Sequence, residues 1–363
     1  MTEGREQDEI TNCMPPLLWP AAPIAKRPRG LGGWTNILTV MAVIGFGVAS
    51  IASAGAQSAP TVIEYPDMCD ASAAVAINEN FFIVANDEDN VFRVYRRDQP
   101  SEPQRIPFPD FLNLKPDGGE VDIEGAARIG DVVFWIGSHG QNKNGKDRPN
   151  RHRFFATKLS IQNGKVEIKP EGAVYTNLRS DLINKPELKK YNLAAAAKLA
   201  PEASGGFNIE GLAATPDGKL LIGFRNPIRG GKSLVVPIEN PKDIIQGQPA
   251  RLGSLIELKL GGLGIRSLEY SDARKRYLIV AGPFDDNGKS ALYTWSGVAG
   301  ADPVLEPKVV LSGLNPEAMF VYPGETENVH FLSDDGGKKV GALDCKDAKV
   351  EARRFRAFAV KVP

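Results

Sequence analysis

Three glutamates recur at one place in a repeated phrase. Glu124 stands in DIEGAA, Glu210 in NIEGLA and Glu317 in NPEAMF. A fourth copy, GIRSLE, carries Arg266 at that place, and a fifth, DASAAV, carries Ser72. A second polar set ends the strand that follows each phrase: Asn86-Asp87, Ser138-His139, Arg225-Asn226, Asp285-Asp286 and Asp334-Asp335. Carboxylates bind hard cations through oxygen, so Glu124, Glu210 and Glu317 are candidate ligands for Ca²⁺ or Mg²⁺. Arg225 and Arg266 carry planar guanidinium groups. These grip a phosphate or carboxylate through two parallel hydrogen bonds and can take up negative charge developing in a reaction. His139 and Asp87 are the acid–base candidates. A purely structural reading uses the same residues: each Glu accepts backbone N–H bonds that pin neighbouring repeats, and each Arg neutralises a Glu. His330, inside an apolar strand, reads as structural, and His152, in RPNRHRFF, as solvated. Asp87-Glu88-Asp89 resembles half a calcium loop without the glycine and distal Glu of an EF-hand.

The elements that must position these residues repeat as well. After each phrase come a tight-turn signal and a second apolar strand: FFIVAND, VVFWIGSH, KLLIGFRN, RYLIVAGP and VHFLSDDG. Third strands are predicted at 91–96, 153–159, 233–238 and 291–295, and fourth strands at 165–169, 254–260 and 308–311. Openings at 70, 122, 208, 264 and 315 with three or four strands each match the blades of an all-β propeller. The count is five, or six with one blade changed beyond recognition. An Ala- and Lys-rich stretch, 178–203, predicts a short helical insertion. The alternating tail 353–362 pairs with 61–65 to complete the last blade and close the ring. The first two strands of a blade are antiparallel, so the start of one and the end of the next share a sheet edge. Both polar sets are therefore expected at one mouth of the central channel. Crowded there, they should perturb one another's pKa values.

The chain has 44 basic and 44 acidic side chains in 363 residues. The first 56 are themselves balanced, so the remainder is too, which gives no electrostatic reason to expect nucleic acid as partner. A basic patch at 26–30, an apolar run at 37–54 and an Ala-Gly-Ala end describe a signal peptide cleaved after Ala56. Residues 1–56 are then a signal with an N-terminal extension and 57–363 one propeller domain, periplasmic or secreted. The alternative is a membrane anchor through 37–54; with the signal cleaved, no stable membrane insertion is expected. Cys69 and Cys345 remain as an even pair near the two ends, and a bridge between them would staple the ring. There is no P-loop, no dinucleotide fingerprint, no H-E-x-x-H and no G-x-S-x-G.

Several motifs occur in a familiar order: DIEGAA at 122–127, FWIGSHGQNKNGKDRPNRHRFF at 134–155, NIEGLAATPDGKLLIGFRNPI at 208–228 and GIRSLEY at 264–270. Together they resemble a bacterial β-propeller family of unassigned function, domain of unknown function 3616. Its Gly-Leu-Arg-Gly-Pro-Val-Leu motif reads GFRNPIR here, with Asn226 and Arg229 departing from it. The likeness spans nearly all of 57–363 and implies a fold but no reaction. More distantly, the Glu-Gly openings look like the phytase-like esterase propellers, which implies phosphoester chemistry. Two functions follow as expectations. One is a propeller that binds a small anionic ligand, a metal ion or a peptide at its charged mouth. The other is a metal-dependent ester or phosphoester hydrolase.

Overall fold

Each short apolar run between turn residues becomes a strand. In the computed structural model, residues 61–363 are described except 109, 117, 118 and 286. The predicted signal peptide, its cleavage point and the apolar run 37–54 lie outside the described residues.

Strand β1 (Val62–Pro66) leads into blade one: β2 (Ala71–Ala76), β3 (Phe81–Asn86), β4 (Val91–Arg96) and β5 (Gln99–Pro107). Blade two is β6 (Ile123–Ile129), β7 (Val132–Gly137), β8 (Phe154–Gln162) and β9 (Lys165–Tyr175). Blade three is β10 (Asn208–Ala214), β11 (Leu220–Asn226), β12 (Lys232–Ile238) and β13 (Ile256–Lys259). Blade four is β14 (Gly264–Ser271), β15 (Arg276–Gly282), β16 (Ala291–Trp295) and β17 (Val304–Leu305). In blade five come β18 (Pro316–Phe320), β19 (Asn328–Ser333), a small hairpin of β20 (Lys339–Val340) and β21 (Leu343–Asp344), and then β22 (Arg354–Lys361). The protein is an all-β propeller of five four-stranded antiparallel blades. No sixth blade stands among the described residues.

The inner strands β2, β6, β10, β14 and β18 touch one another in a closed cycle around the channel. Blade five runs β18-β19-β22-β1, so β1 supplies its outermost strand. Its register, Val62↔Phe358 to Pro66↔Arg354, closes the ring as the alternating tail predicts. Cys69, after β1, and Cys345, after β21, form a disulfide across 276 residues.

The core is layered between blades. Trp135 and Phe155 of blade two pack with Phe92 of blade one. Phe134 and Phe154, on the other face of the same strands, pack with Ile222 and Leu234 of blade three. This is the period-two alternation of a strand buried on both faces. The insertion covers that second layer with α1 (Leu178–Asn184), a 3₁₀ turn (Pro186–Tyr191) and α2 (Leu193–Ala196), through Leu178, Leu182, Leu188 and Leu193. Its alanine run is helical only over one turn, because Asn192 takes a left-handed conformation (φ 50°) just before it.

Two expectations need correction. The fourth strand of blade four is Val304–Leu305, not 308–311; Val309 and Leu311 are instead buried as loop residues in the layer between blades four and five. His152 is not solvated: its ring lies 6.1 Å from that of His139, and burial lowers its pKa to about 4. No helix among the described residues is long and apolar enough to cross a membrane.

Candidate functional site

The recurrent position is a β-bulge in every blade. Pairing between the first and second strands skips Ser72, Glu124, Glu210, Arg266 and Glu317. A bulge adds one unpaired residue, bends the strand and re-aims that side chain. Five bulges in register thus put one hydroxyl, three carboxylates and one guanidinium at the same level of the ring.

Four of these groups suture the blades. Glu210 accepts from Arg225 Nη1 at 2.8 Å, and its other oxygen lies 3.6 Å from Arg266 Nε. Arg266, 1 % exposed, also ion-pairs with Glu317, so blades three, four and five are tied in a chain of charge. Arg225 Nε donates to the Pro283 carbonyl at 3.0 Å. Ser72 Oγ donates to the Ile123 carbonyl at 2.8 Å, joining blades one and two.

Glu124 has different surroundings. Two residues before the bulge, blades three and five carry Asn208 and Asn315, whose amides donate to Glu210 and Glu317 at 2.9 and 3.4 Å. Blade two carries Asp122 there, which is 7 % exposed, has φ 57° and offers no such donor. One oxygen from each of Asp87, Asp122 and Glu124 falls within a group no more than 4.8 Å across. Asp87 Oδ1 is buried without a hydrogen-bond partner. Burial, then the negative charge of Asp122, Glu210 and Asp87, pushes the Glu124 carboxyl well above the usual range. Asp87 is raised in the same way by burial and by Asp334, Asp70 and Asp122. Burial and Asp334 push Asp70 up to about 8. For Asp122 burial dominates, with Arg151 opposing it, and the pKa is about 6.

Asp87, Asp122 and Glu124 line a cavity of about 450 Å³ at the mouth, shared with Glu210, Arg225, Glu317 and Asp334. Cations stand on its rim. Arg151 holds Asp122 at 2.8 Å and also pairs with Glu120; Lys346 reaches Glu88 at 2.7 Å; Arg148 lines the wall. Hairpin geometry thus gathers Asp87, Glu124, Glu210, Glu317 and Arg225 as expected, with Arg266 buried against two of them.

His139 is fully buried and is not part of the cavity lining. Its Nδ1–H donates to the Gly137 carbonyl at 2.9 Å, and burial lowers its pKa to about 3, so the ring stays neutral. Other strand ends hold loops in place. Asn226 donates to the Pro201 and Ala203 carbonyls at 2.8 and 2.7 Å. Asp335, 2 % exposed, accepts from Arg356 Nε at 2.8 Å. Asp285 accepts from Asn287 within its own turn, and Asp286 lies outside the described residues. Sequence reasoning missed Asp70, Asp122 and Arg151. The available signal was the Asp or Asn two residues before the recurrent position, in Asp70, Asp122, Asn208 and Asn315.

None of the curated proteins matches the chain. Among solved structures, a putative oxidoreductase (glucose dehydrogenase) from Thermus thermophilus is 13 % identical, with 83 % of this chain and 100 % of that one covered and a TM-score of 0.42. The glutaminyl cyclase of Myxococcus xanthus is 14 % identical over 84 % of this chain and 97 % of its own, with a TM-score of 0.38. The virginiamycin B lyase of Staphylococcus aureus is 11 % identical over 84 % and 74 %, with a TM-score of 0.33. The family described as "Protein of unknown function (DUF3616)" matches residues 70–163 and 171–313, which is most of the chain. With those motifs carried on five closed blades, the chain belongs to the DUF3616 family.

Proposed function

We propose that the charged mouth binds a divalent cation, Ca²⁺ or Mg²⁺, on Asp87, Asp122 and Glu124. The cation, with Arg148, Arg151 and Lys346 on the rim, then holds a small anionic ligand. The protein would work in an oxidising compartment, the periplasm or outside the cell, in keeping with its disulfide. One observation carries this reading. Where two sister blades place an amide that donates to the glutamate, blade two places Asp122, so three carboxylate oxygens crowd within 4.8 Å and that amide donor is missing. Such a cluster is costly as bare charge and suits a hard cation, whose oxygen ligands sit about 2.3–2.6 Å from Ca²⁺ and about 2.0–2.1 Å from Mg²⁺. Glu210 and Glu317 serve the guanidinium groups instead and complete the wall.

The test is the thermal unfolding of the protein with and without CaCl₂ or MgCl₂, in the native sequence and in Asp122→Asn. At about a hundred times Kd the cation should add about 2.7 kcal/mol, a rise of about 5 °C in Tm. Asp122→Asn should abolish that rise. No shift with either ion, or an equal shift in the variant, refutes the site.

A second reading, phosphoester hydrolysis, draws on Arg148 and Arg151 lining the same cavity as the cluster. A phosphate bridging cation and guanidinium would have its developing charge met from both sides. Turnover of p-nitrophenyl phosphate, lost on chelation and in Asp87→Asn, would support it; binding without turnover leaves the non-catalytic reading.

A further inference from the structure

The opposite end of the channel is built from other material. There the ends of the inner strands and the turns after them surround a cavity of about 880 Å³, to which all five blades contribute. Its walls include Val75, Ala214 and Val321 and the rings of Tyr270 and Tyr322. Glu269 projects among them. It stands three residues past the bulge of blade four, where the other blades carry Val75, Ala127, Ala213 and Phe320. The register therefore assigns an apolar side chain to this place, and one blade breaks the rule with a carboxylate.

Nothing among the described residues answers that carboxylate. Arg128, the guanidinium on the wall, is committed to main chain: it donates to the carbonyls of Gly130 at 2.7 Å, Ala76 at 2.9 Å and Ile77. The other lining carboxylates have partners. Glu325 pairs with Arg97 at 3.0 Å, Asp272 with Lys275 at 2.7 Å, and Glu79 accepts from Asn80 at 3.4 Å. Among the described residues Glu269 has no hydrogen bond and no ion pair. Burial alone raises its pKa to about 8. A carboxylate with a structural duty would have a donor; this one has a desolvation cost and an open cavity in front of it.

We propose that this second mouth is a binding site for a small organic cation, a primary ammonium on an apolar body, with Glu269 as its counter-ion. The ammonium supplies the missing donors and charge, and the apolar body covers Val75, Ala214 and Val321. The ring of Tyr270 on the same wall adds cation–π attraction. A neutral or anionic ligand of equal shape would leave the carboxylate desolvated and unanswered, so selectivity should follow ligand charge. This site is independent of the metal cluster, which occupies the other end of the channel.

Benzylammonium chloride titrated into the full chain by calorimetry tests the proposal, with benzyl alcohol and benzoate as isosteric controls. Benzylammonium should bind at about millimolar Kd or tighter, and the controls should not. Glu269→Gln should weaken it by at least about tenfold, and Asp122→Asn should leave it unchanged. Glu269→Gln removes a half-buried carboxyl that holds no partner among the described residues and should not lower Tm, so loss of binding in that variant reports the site rather than misfolding. Equal binding of benzyl alcohol, unchanged affinity in Glu269→Gln, or no heat up to about 10 mM ligand would each overturn it.

Discussion

A single exchange of amide for carboxyl separates the parts of the mouth that carry structure from the part available for a ligand. At Asn208 and Asn315 an NH₂ donates to the glutamate ahead; at Asp122 a further negative group is added instead. That difference has a signed consequence with pH. In the folded chain Asp70 and Asp122 are raised from 3.8 to about 8 and about 6. The folded protein therefore keeps protons that the unfolded chain releases in this interval. Its stability without cation is highest below about pH 4 as far as these groups are concerned, and falls as pH rises toward about 8. A divalent cation at the proposed site would compete with those protons. Its affinity should rise by more than about tenfold between about pH 5 and about pH 8, and its binding should restore the lost stability. Calcium titrations of Tm across that range check this, and a flat affinity would locate the ion away from Asp122. The recurrent glutamates were legible because recurrence marks a geometric position. Asp122 was read only as the start of its phrase, since its effect depends on what the same position does in sister blades. Glu269 was not legible at all: in GIRSLEYS it passes for the polar half of an ordinary alternation until register reveals its apolar counterparts.

At the scale of the element, the Glu-Gly pair of the phrase is a packing device as much as a chemical one. A Cβ on Gly211 would come within 2.9 Å of Ile265 Cγ2 and 3.1 Å of Gly223 Cα; one on Gly125 would meet Leu212 Cβ at 2.9 Å. The glycine after the bulge lets the inner strand of one blade lie against the next. Gly211→Val should cost about 1–3 kcal/mol, measured by urea unfolding, because it overpacks that contact between blades. A neutral result would mean the blades can part there without penalty. Inner and middle strands were readable because both faces are buried and their apolar runs are nearly continuous. Outer strands were readable only in part. Strand β5, QPSEPQRIP, is polar, carries three prolines and sits at a blade edge, where no partner lies beyond it to require apolar alternation or a full set of N–H donors. Val309 and Leu311 misled for the opposite reason: apolar spacing records burial, and burial here is reached by a loop.

The propeller is held as a ring by closures of three kinds: strand pairing of β1 on β22, the chain of ion pairs through Glu210, Arg266 and Glu317, and the Cys69–Cys345 bond. Closing so long a loop gives the disulfide roughly 5 kcal/mol on the chain-entropy account. The full chain has three cysteines, so denaturation without reductant should expose one reactive thiol, Cys13, and with reductant three. Three thiols in both conditions would mean the bridge does not form. Closure was legible because a ring forces the two chain ends together, whereas the layered core was not, since its layers mix residues from neighbouring blades. Strand β22 lies between β19 and β1, so the strand made first has no partner until the entire circle has left the ribosome. A stop codon ahead of Arg354 would therefore not yield a slightly shorter propeller. It would leave β19 and β1 as two bare edges facing a missing neighbour, a species fit for aggregation or proteolysis rather than function.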